Sequence, residues 1–534
     1  MTLPRIPLST RSVSGYGGAV VSPHHLSTAA GISTLANGGN AVDAALAVNA
    51  VQGMVAPETC GIGGDLFALI AGPGTDGVLA LNSSGRAGSG ASELARDLRD
   101  SGAEAIPQHH SAAVSVPGCV DGWMALHARL GRLDLGEILA PAVRLGREGF
   151  PASRELANAF GARAAELSTE PSGRDLYPGG DPPQPGTRIR RVELASTLER
   201  IAEEGRNAIY AGPTGKALSD AVGGAITLED LAHSQADWVE ALSVDVFGLT
   251  AWTIPPNSQG YLTLATLAIL ERRGLSDLDD PLGWHWAIEA YRQAAADRDL
   301  LLADPDAMTV DPASLVSADR IEAMADRIAD DSVAALSPPP SARGGTAYMC
   351  VIDADGLGIS LIQSNFYGIG SGISVPGAGF LLHDRARGFT LSPGHPNELA
   401  PGKRPLHTLS PSLWTRNGSL AGVVGTRGGH IQPQLMSQLT AHLFGHGLEP
   451  GDAMAVPRWS VPVPGPGHAT STVEVEPGTP EAVLDGLAHR GHELEIHKAP
   501  NSGWGPMSAI VLDAESLRRA ASDPRVATTL AASL

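Results

Sequence analysis

Cysteine is scarce: Cys60, Cys119 and Cys350 are the only three in 534 residues. Thiols so few and so far apart build neither a disulfide framework nor a paired-thiolate metal site. Positive charge is in deficit too, with 37 Lys and Arg against 57 Asp and Glu and a formal net charge of -20. Such a surface repels phosphate backbones and anionic membranes unless a basic patch intervenes, and the densest cluster, residues 188–191, is short. Neither a nucleic acid nor a membrane is expected as a partner. No apolar run approaches the ~18 residues that would cross a bilayer. The first 20 residues also lack the continuous apolar stretch of a signal peptide. A cytoplasmic protein is expected, with export open only if the start is truncated. The pairs His24-His25 and His109-His110 lack the i, i+4 spacing that converges two imidazoles on zinc, and His285 with Glu289 has no third ligand in sight. Gly61-Ile62-Gly63-Gly64 lacks the spacing of a dinucleotide-binding turn. No metal and no organic cofactor is expected.

What the chain has in quantity is small and apolar residues: 43% hydrophobic, with 64 glycines and 40 prolines. That composition builds a sizeable core and excludes a disordered chain, and the absence of a G-X-Y period excludes collagen. Residues 22–35 and 41–51 read as two close-packed Ala-rich helices, the first opened by Ser22-Pro23, with Asn37-Gly38-Gly39-Asn40 between them. The glycine-rich turn 60–65 leads into a strand at 66–71. Residues 114–116 read as a short strand, 121–130 as a helix and 244–254 as strand-like. The loop 255–260 precedes helices at 261–273 and 284–297, and acid-rich helical residues fill 306–335. Three consecutive prolines, Pro338 to Pro340, then make 336–345 a mobile surface segment. Directly after it, 346–353 is a strong strand, Asp355-Gly356 a hairpin turn and 358–363 its partner.

A loose segment feeding a buried strand that opens on Thr346 suggests a cleavage site. Once the bond before it is broken, Thr346 owns a hydroxyl nucleophile and an α-amine whose reference pKa of ~7.7–8 suits a general base. The chemistry that follows is acyl transfer from an amide. The same hydroxyl can first attack the carbonyl of Gly345, and hydrolysis of the resulting ester splits the chain. Taken alone, a threonine opening a strand more often just fits β geometry.

An ordered series of motifs changes that weighting. They are residues 37–45 with Gly61-Ile62-Gly63-Gly64, the loop 255–260, residues 345–353, Gly370-Ser371-Gly372 with 376–380, residues 401–411, and Gly425-Thr426-Arg427-Gly428-Gly429. The chain resembles the gamma-glutamyltransferase family of autoprocessing N-terminal-nucleophile hydrolases over almost its whole length. The resemblance implies an α+β fold, the four-layer αββα sandwich. It implies Thr346 as nucleophile and cleavage between Gly345 and Thr346, giving a large segment, 1–345, and a small one, 346–534. The two would stay associated as a heterodimer forming one catalytic unit; whether heterodimers pair again is left open. Gly428 and Gly429 match the family's oxyanion-hole glycines. Ser364 falls near a threonine that bonds the nucleophile, and Asn365 resembles a neighbouring active-site asparagine, with a loop-capping role as its alternative.

The substrate-binding motifs depart from those of gamma-glutamyl-transferring enzymes. Ser84 stands where the resemblance places an arginine for the α-carboxylate, with Arg86 two residues on. Gly388 stands where an acid for the α-ammonium is expected, between Arg387 and Phe389, and an ammonium buried without a partner costs several kcal/mol. Arg385 and Arg387 favour an anion if either points inward, with solvated surface positions as the alternative. His407 and Thr408 replace a serine pair. Together with 430–434 and 360–365, these features resemble the oxamate amidohydrolase-like and acylase-like branch. The expected activity is hydrolysis of a small acidic or acylated amide through Thr346, with Arg86, Arg385, His407 and Thr408 as substrate-binding candidates. Glutathione hydrolysis or gamma-glutamyl transfer is the alternative, and an unprocessed binding protein the non-enzymatic one.

Overall fold

The strand Gly345–Asp353 sends alternate side chains into two different cores, as its two-residue period requires. Ala347, Met349 and Val351 pack against helices. Tyr348, Cys350 and Ile352 point the other way, among Phe67, Leu69, Leu413, Val423 and Ile510 of two facing sheets. Burial on both faces explains why this strand reads as an unbroken apolar run.

The computed structural model describes residues 4–8, 11–336, 345–462 and 469–534. Two seven-stranded antiparallel sheets form the centre. The first runs, in spatial order, Leu530–Ser533, Gly18–Ser22, Gly345–Asp353, Gly358–Phe366, Asp65–Ala71, Leu79–Ser83, Asp237–Val239. The second runs Ser12–Gly15, Arg518–Ser522, Met507–Leu512, Ser419–Thr426, Ser412–Arg416, Leu249–Thr253, Leu242–Val246. Helices Ala41–Val55, Leu135–Glu148 and Val192–Glu204 belong to the core that covers the first sheet, and Tyr261–Arg273, Pro281–Ala295 and Gln432–Thr440 to that of the second. This is the expected αββα sandwich. Strands from both sides of residue 345 interleave in each sheet.

Several local expectations are corrected. The first helix is His25–Ala36, with His24 rather than Ser22 accepting the capping bond from Leu26 N-H. The second starts after a capping box between Asn40 and Asp43 and runs on to Val55. Residues 114–116 form no strand, because Val116 N-H bonds to the Arg86 carbonyl in a loop pairing instead of a ladder. Residues 244–254 are not one strand but most of a hairpin, Leu242–Val246 and Leu249–Thr253, turned by Phe247 and Gly248 at positive φ. Of the acid-rich stretch only Ala318–Ala325 is α-helix. The proposed mobile segment 336–345 lies outside the described residues except at its two ends. Trp504 is fully buried in the second helix-facing core and closes it.

The sheets meet closely where the site will form. A Cβ on Gly425 would fall 2.1 to 2.4 Å from three atoms of the Tyr348 ring, and one on Gly358 2.3 Å from Leu420. These two contacts align Ser419–Thr426 so that its carboxyl end and residue 346 lie at the same end of the sandwich. Gly425→Ala is expected to cost about 1–3 kcal/mol of stability by overpacking. Urea unfolding would measure it, and a neutral result would mean the sheets are further apart than this packing requires.

Candidate active site

Thr346 is 1% exposed and shares the inter-sheet face with Tyr348. Directly across the hairpin is Ser364, and the register shifts by a bulge between Gly345 and Thr346, so Gly345 stands opposite Phe366. Bulges re-aim side chains and interrupt pairing, and this one falls on the expected scissile bond. The Ser364 hydroxyl donates to the Gly345 carbonyl at 2.5 Å and accepts from Phe366 N-H at 2.8 Å. Its oxygen is 3.1 Å from the Thr346 hydroxyl. With its single proton directed at the carbonyl, Ser364 is left to accept the Thr346 proton. Gly345 has no room for a side chain: a Cβ would be 2.7 Å from the carbonyl oxygens of both Glu58 and Gly368. Phe366 takes a left-handed φ of 75° to complete the bulge, a conformation that costs a non-glycine residue energy.

Gly428 and Gly429 follow the second-sheet strand Ser419–Thr426, with φ of 139° and 58°. A Cβ on Gly428 would sit 2.9 Å from the Ile431 side chain. Glycine is therefore demanded at both positions by conformation, and at the first by space as well. Asn365 alternates away from Thr346: its amide donates to the Pro57 carbonyl at 3.3 Å and its backbone N-H to Thr59 at 3.3 Å. It ties the hairpin to the loop before the glycine-rich turn.

Arg385 is 1% exposed, with its guanidinium carbon 3.5 Å from the centre of the Phe366 ring and Nη2 3.4 Å from the Thr408 hydroxyl. Among the described residues its Nη1 has no hydrogen-bond partner. Burial lowers its pKa to about 10, against the pull of Asp65 and Asp384. Arg387 instead stacks on Tyr367 and bonds to Asp384 and the Ile106 carbonyl. His407 accepts Leu409 N-H on Nδ1 and donates from Nε2 to Asp65 at 3.1 Å. Burial, then the Arg385 charge, lowers its pKa to about 3, so it is a neutral donor. Burial pushes the Asp65 carboxyl up, but His383, His407 and Arg385 together outweigh it and hold it below the ordinary range. Arg86 is not brought to this cluster: it pairs with Asp237 at 2.7 Å, beside Arg404. Ser84 is buried and bonds to Asn82. Gly388 cannot carry an acid in this fold, since a Cβ there would lie 2.5 Å from the Leu406 carbonyl oxygen.

The gamma-glutamyltranspeptidase profile matches residues 27–533. The chain belongs to this family. It is 34% identical over 524 residues to a glutathione hydrolase-like proenzyme of Bacillus subtilis, covering 96% of this chain and 98% of that one. It is 33% identical over 529 residues to the oxamate amidohydrolase proenzyme of Klebsiella pneumoniae, covering 97% and 98%. A cephalosporin acylase structure from Bacillus halodurans superposes with a TM-score of 0.90 at 33% identity, covering 98% and 97%. This member of the gamma-glutamyltranspeptidase family is thus an enzyme of the autoprocessing N-terminal-nucleophile type, near the acylase and oxamate amidohydrolase branch. Among the described residues no helix is long and apolar enough to cross a membrane.

Sequence reasoning missed Asp65 and Phe366 in this family member. Asp65 was visible as a lone acid closing a glycine-rich turn before an apolar strand; Phe366 carried no signal, because its role depends on the bulge. Glu58 was missed also. Its carboxyl is buried, which raises its pKa to about 7, and its backbone carbonyl abuts Gly345. Glu474, Glu495 and His497 bring ligand atoms within 4.8 Å of one another on the small sheet that includes Thr472–Val475 and Glu493–Ile496, with nothing further to mark an ion site.

Acidification tests the buried imidazole. The unfolded chain binds a proton at His407 once pH falls below ~6.5, whereas the folded chain resists until about 3, so this residue makes stability fall with falling pH across that window. His407→Gln is expected to flatten the loss of stability between pH 6.5 and 4, read from melting temperatures. An unchanged slope would show that His407 titrates freely in the folded protein.

Proposed function

We propose that Thr346 attacks the Gly345 carbonyl carbon, forming an ester as the Gly345–Thr346 peptide C-N bond breaks. That break frees the α-amine of Thr346, and water then hydrolyses the ester, releasing the Thr346 hydroxyl and leaving Gly345 with a carboxylate. The two segments, 345 residues and the remaining 189 of 534, stay interleaved. The hydrogen bonds from Thr346 to Ser364 and from Ser364 to the Gly345 carbonyl support this step, because they hold the nucleophile and polarise its target through one side chain. In turnover, the Thr346 hydroxyl attacks the acyl carbon of an amide while the amine takes its proton. Backbone N-H groups of the Gly428-Gly429 turn receive the developing oxyanion. The amide C-N bond then breaks, the leaving amine departs with that proton, and water hydrolyses the acyl-enzyme.

The substrate we infer is a small amide whose acyl part carries an anion, as in oxamate. The observation that carries this reading is Arg385: a buried guanidinium whose Nη1 has no partner among the described residues, braced by Phe366 beside the nucleophile's hairpin. A gamma-glutamyl head group would need an acid for its ammonium. The expected position is Gly388, which has no room for one, and nearby Asp384 already bonds to Tyr367 N-H and Arg387. His407 and Thr408 add hydrogen bonds at the same cluster.

Denaturing mass spectrometry is expected to show fragments of about 35 and 19 kDa, the shares of 54.9 kDa held by 345 and 189 residues. Both should be absent in Thr346→Ala; an intact wild-type chain would sink the processing step. Arg385→Leu is expected to lower kcat/KM for oxamate about 10- to 100-fold, the worth of a charge-assisted hydrogen bond. Hydrolysis of neutral propionamide should change by less than threefold. Equal losses on both amides would remove Arg385 from anion recognition.

A further inference from the structure

Two consecutive glycines at positive φ are the most permissive backbone in the site, with no side chains of their own to hold them. What holds them is a buried chain of side-chain bonds from another part of the fold. Arg298 lies in the short helix Arg298–Leu301, with a side chain only 2% exposed. Its Nη1 donates to the Gln259 side-chain oxygen at 2.9 Å and to His430 Nδ1 at 2.8 Å. The Gln259 amide nitrogen in turn donates to the Gly429 carbonyl at 3.1 Å, with the Thr408 and His430 carbonyls each at 3.4 Å. Gln259 is fully buried, and its own N-H bonds to the His407 carbonyl at 2.9 Å. The orientation of the Gln259 amide follows from its neighbours, since a guanidinium only donates and the three carbonyls only accept. Asp299 anchors Arg298 from the far side at 2.7 Å.

We propose that Arg298 and Gln259 are positioning residues for the oxyanion turn. Gln259 fixes the carbonyl of Gly429 and so the ψ of the second glycine. Arg298 fixes Gln259 and, through His430, the residue that follows. Together they hold the carboxyl side of the Gly428-Gly429 turn, so that its N-H groups stay aimed at the oxyanion, without touching substrate. Arg298 makes both bonds through one nitrogen, so a single substitution releases both restraints on the carboxyl side of the turn. This inference rests on the proposed role of Thr346 and the glycine pair.

The test compares Gln259→Met and Arg298→Lys with the wild type as processed holoprotein. One readout is the rate at which p-nitrophenyl acetate acylates Thr346, followed by p-nitrophenol release and intact mass. The other is kcat and KM for oxamate. A misaimed oxyanion turn weakens an interaction made mainly in the transition state. The expected result is therefore an acylation rate and kcat lowered about 10- to 100-fold in Gln259→Met, with KM within twofold and the melting temperature unchanged within about 2 °C. Arg298→Lys, which retains the charge but not the fork, should fall between; it also supplies the reading if Gln259→Met does not accumulate as processed protein. Rates within twofold of wild type in both variants overturn the inference, as does a loss that follows melting temperature or appears only in KM. If oxamate is inert while ester acylation falls as stated, the substrate reading fails and the brace stands. If wild-type Thr346 is not acylated at all, both fall together.

Discussion

The structure depends on one hydrogen-bonded arrangement: Ser364 held between the Thr346 hydroxyl and the Gly345 carbonyl at a bulge in the central hairpin. A peptide bond inside a paired, buried strand would ordinarily be among the best protected in the chain. Here the pairing is interrupted at that bond, with Gly345 on one strand and left-handed Phe366 on the other. The sheet supplies rigidity up to Thr346 and the bulge withdraws it one residue earlier.

The second sheet is placed by the same constraint. Gly425 gives the Tyr348 ring its seat, and that contact carries the Gly428-Gly429 turn to the end of the sandwich where Thr346 lies. A sandwich whose two halves were not interlocked would have no reason to keep that alignment once the chain is cut. Interleaved strands from residues before and after 345 make the alignment independent of the covalent bond.

Electrostatics inside the site is arranged around a cation rather than an anion. Asp65 is engaged by Gly85 N-H, His407 and His383, and Asp384 by Tyr367 N-H and Arg387. Arg385 is left with a donor unmatched among the described residues. Burying a guanidinium is unfavourable unless it is stacked or paired. The Phe366 face provides the stacking, and the anionic substrate we propose would provide the pairing.

Much of the fold was legible in the residues. The apolar run 346–353 read as a strong buried strand, glycine pairs marked the turns, and the ordered motifs implied the sandwich and the residues around Thr346. The misreadings have local causes. Residues 244–254 contain a tight turn at Phe247-Gly248, where Gly248 was the one signal and the flanking apolar residues masked it, and 114–116 are held extended by a loop partner. Arg86 and Arg385 looked alike as sequence, two arginines near expected substrate motifs. One meets Asp237 at the sheet edge and the other lies under Phe366 in the interior. By itself, then, the sequence determined which residue types stand at the hairpin and glycine turn, because backbone period and glycine conformation are local properties. The assignment of partners to buried charges, and the brace from Arg298 to Gly429 across 131 positions of chain, were decided only by the tertiary structure. Desolvation and hydrogen bonding act between groups that only folding brings together.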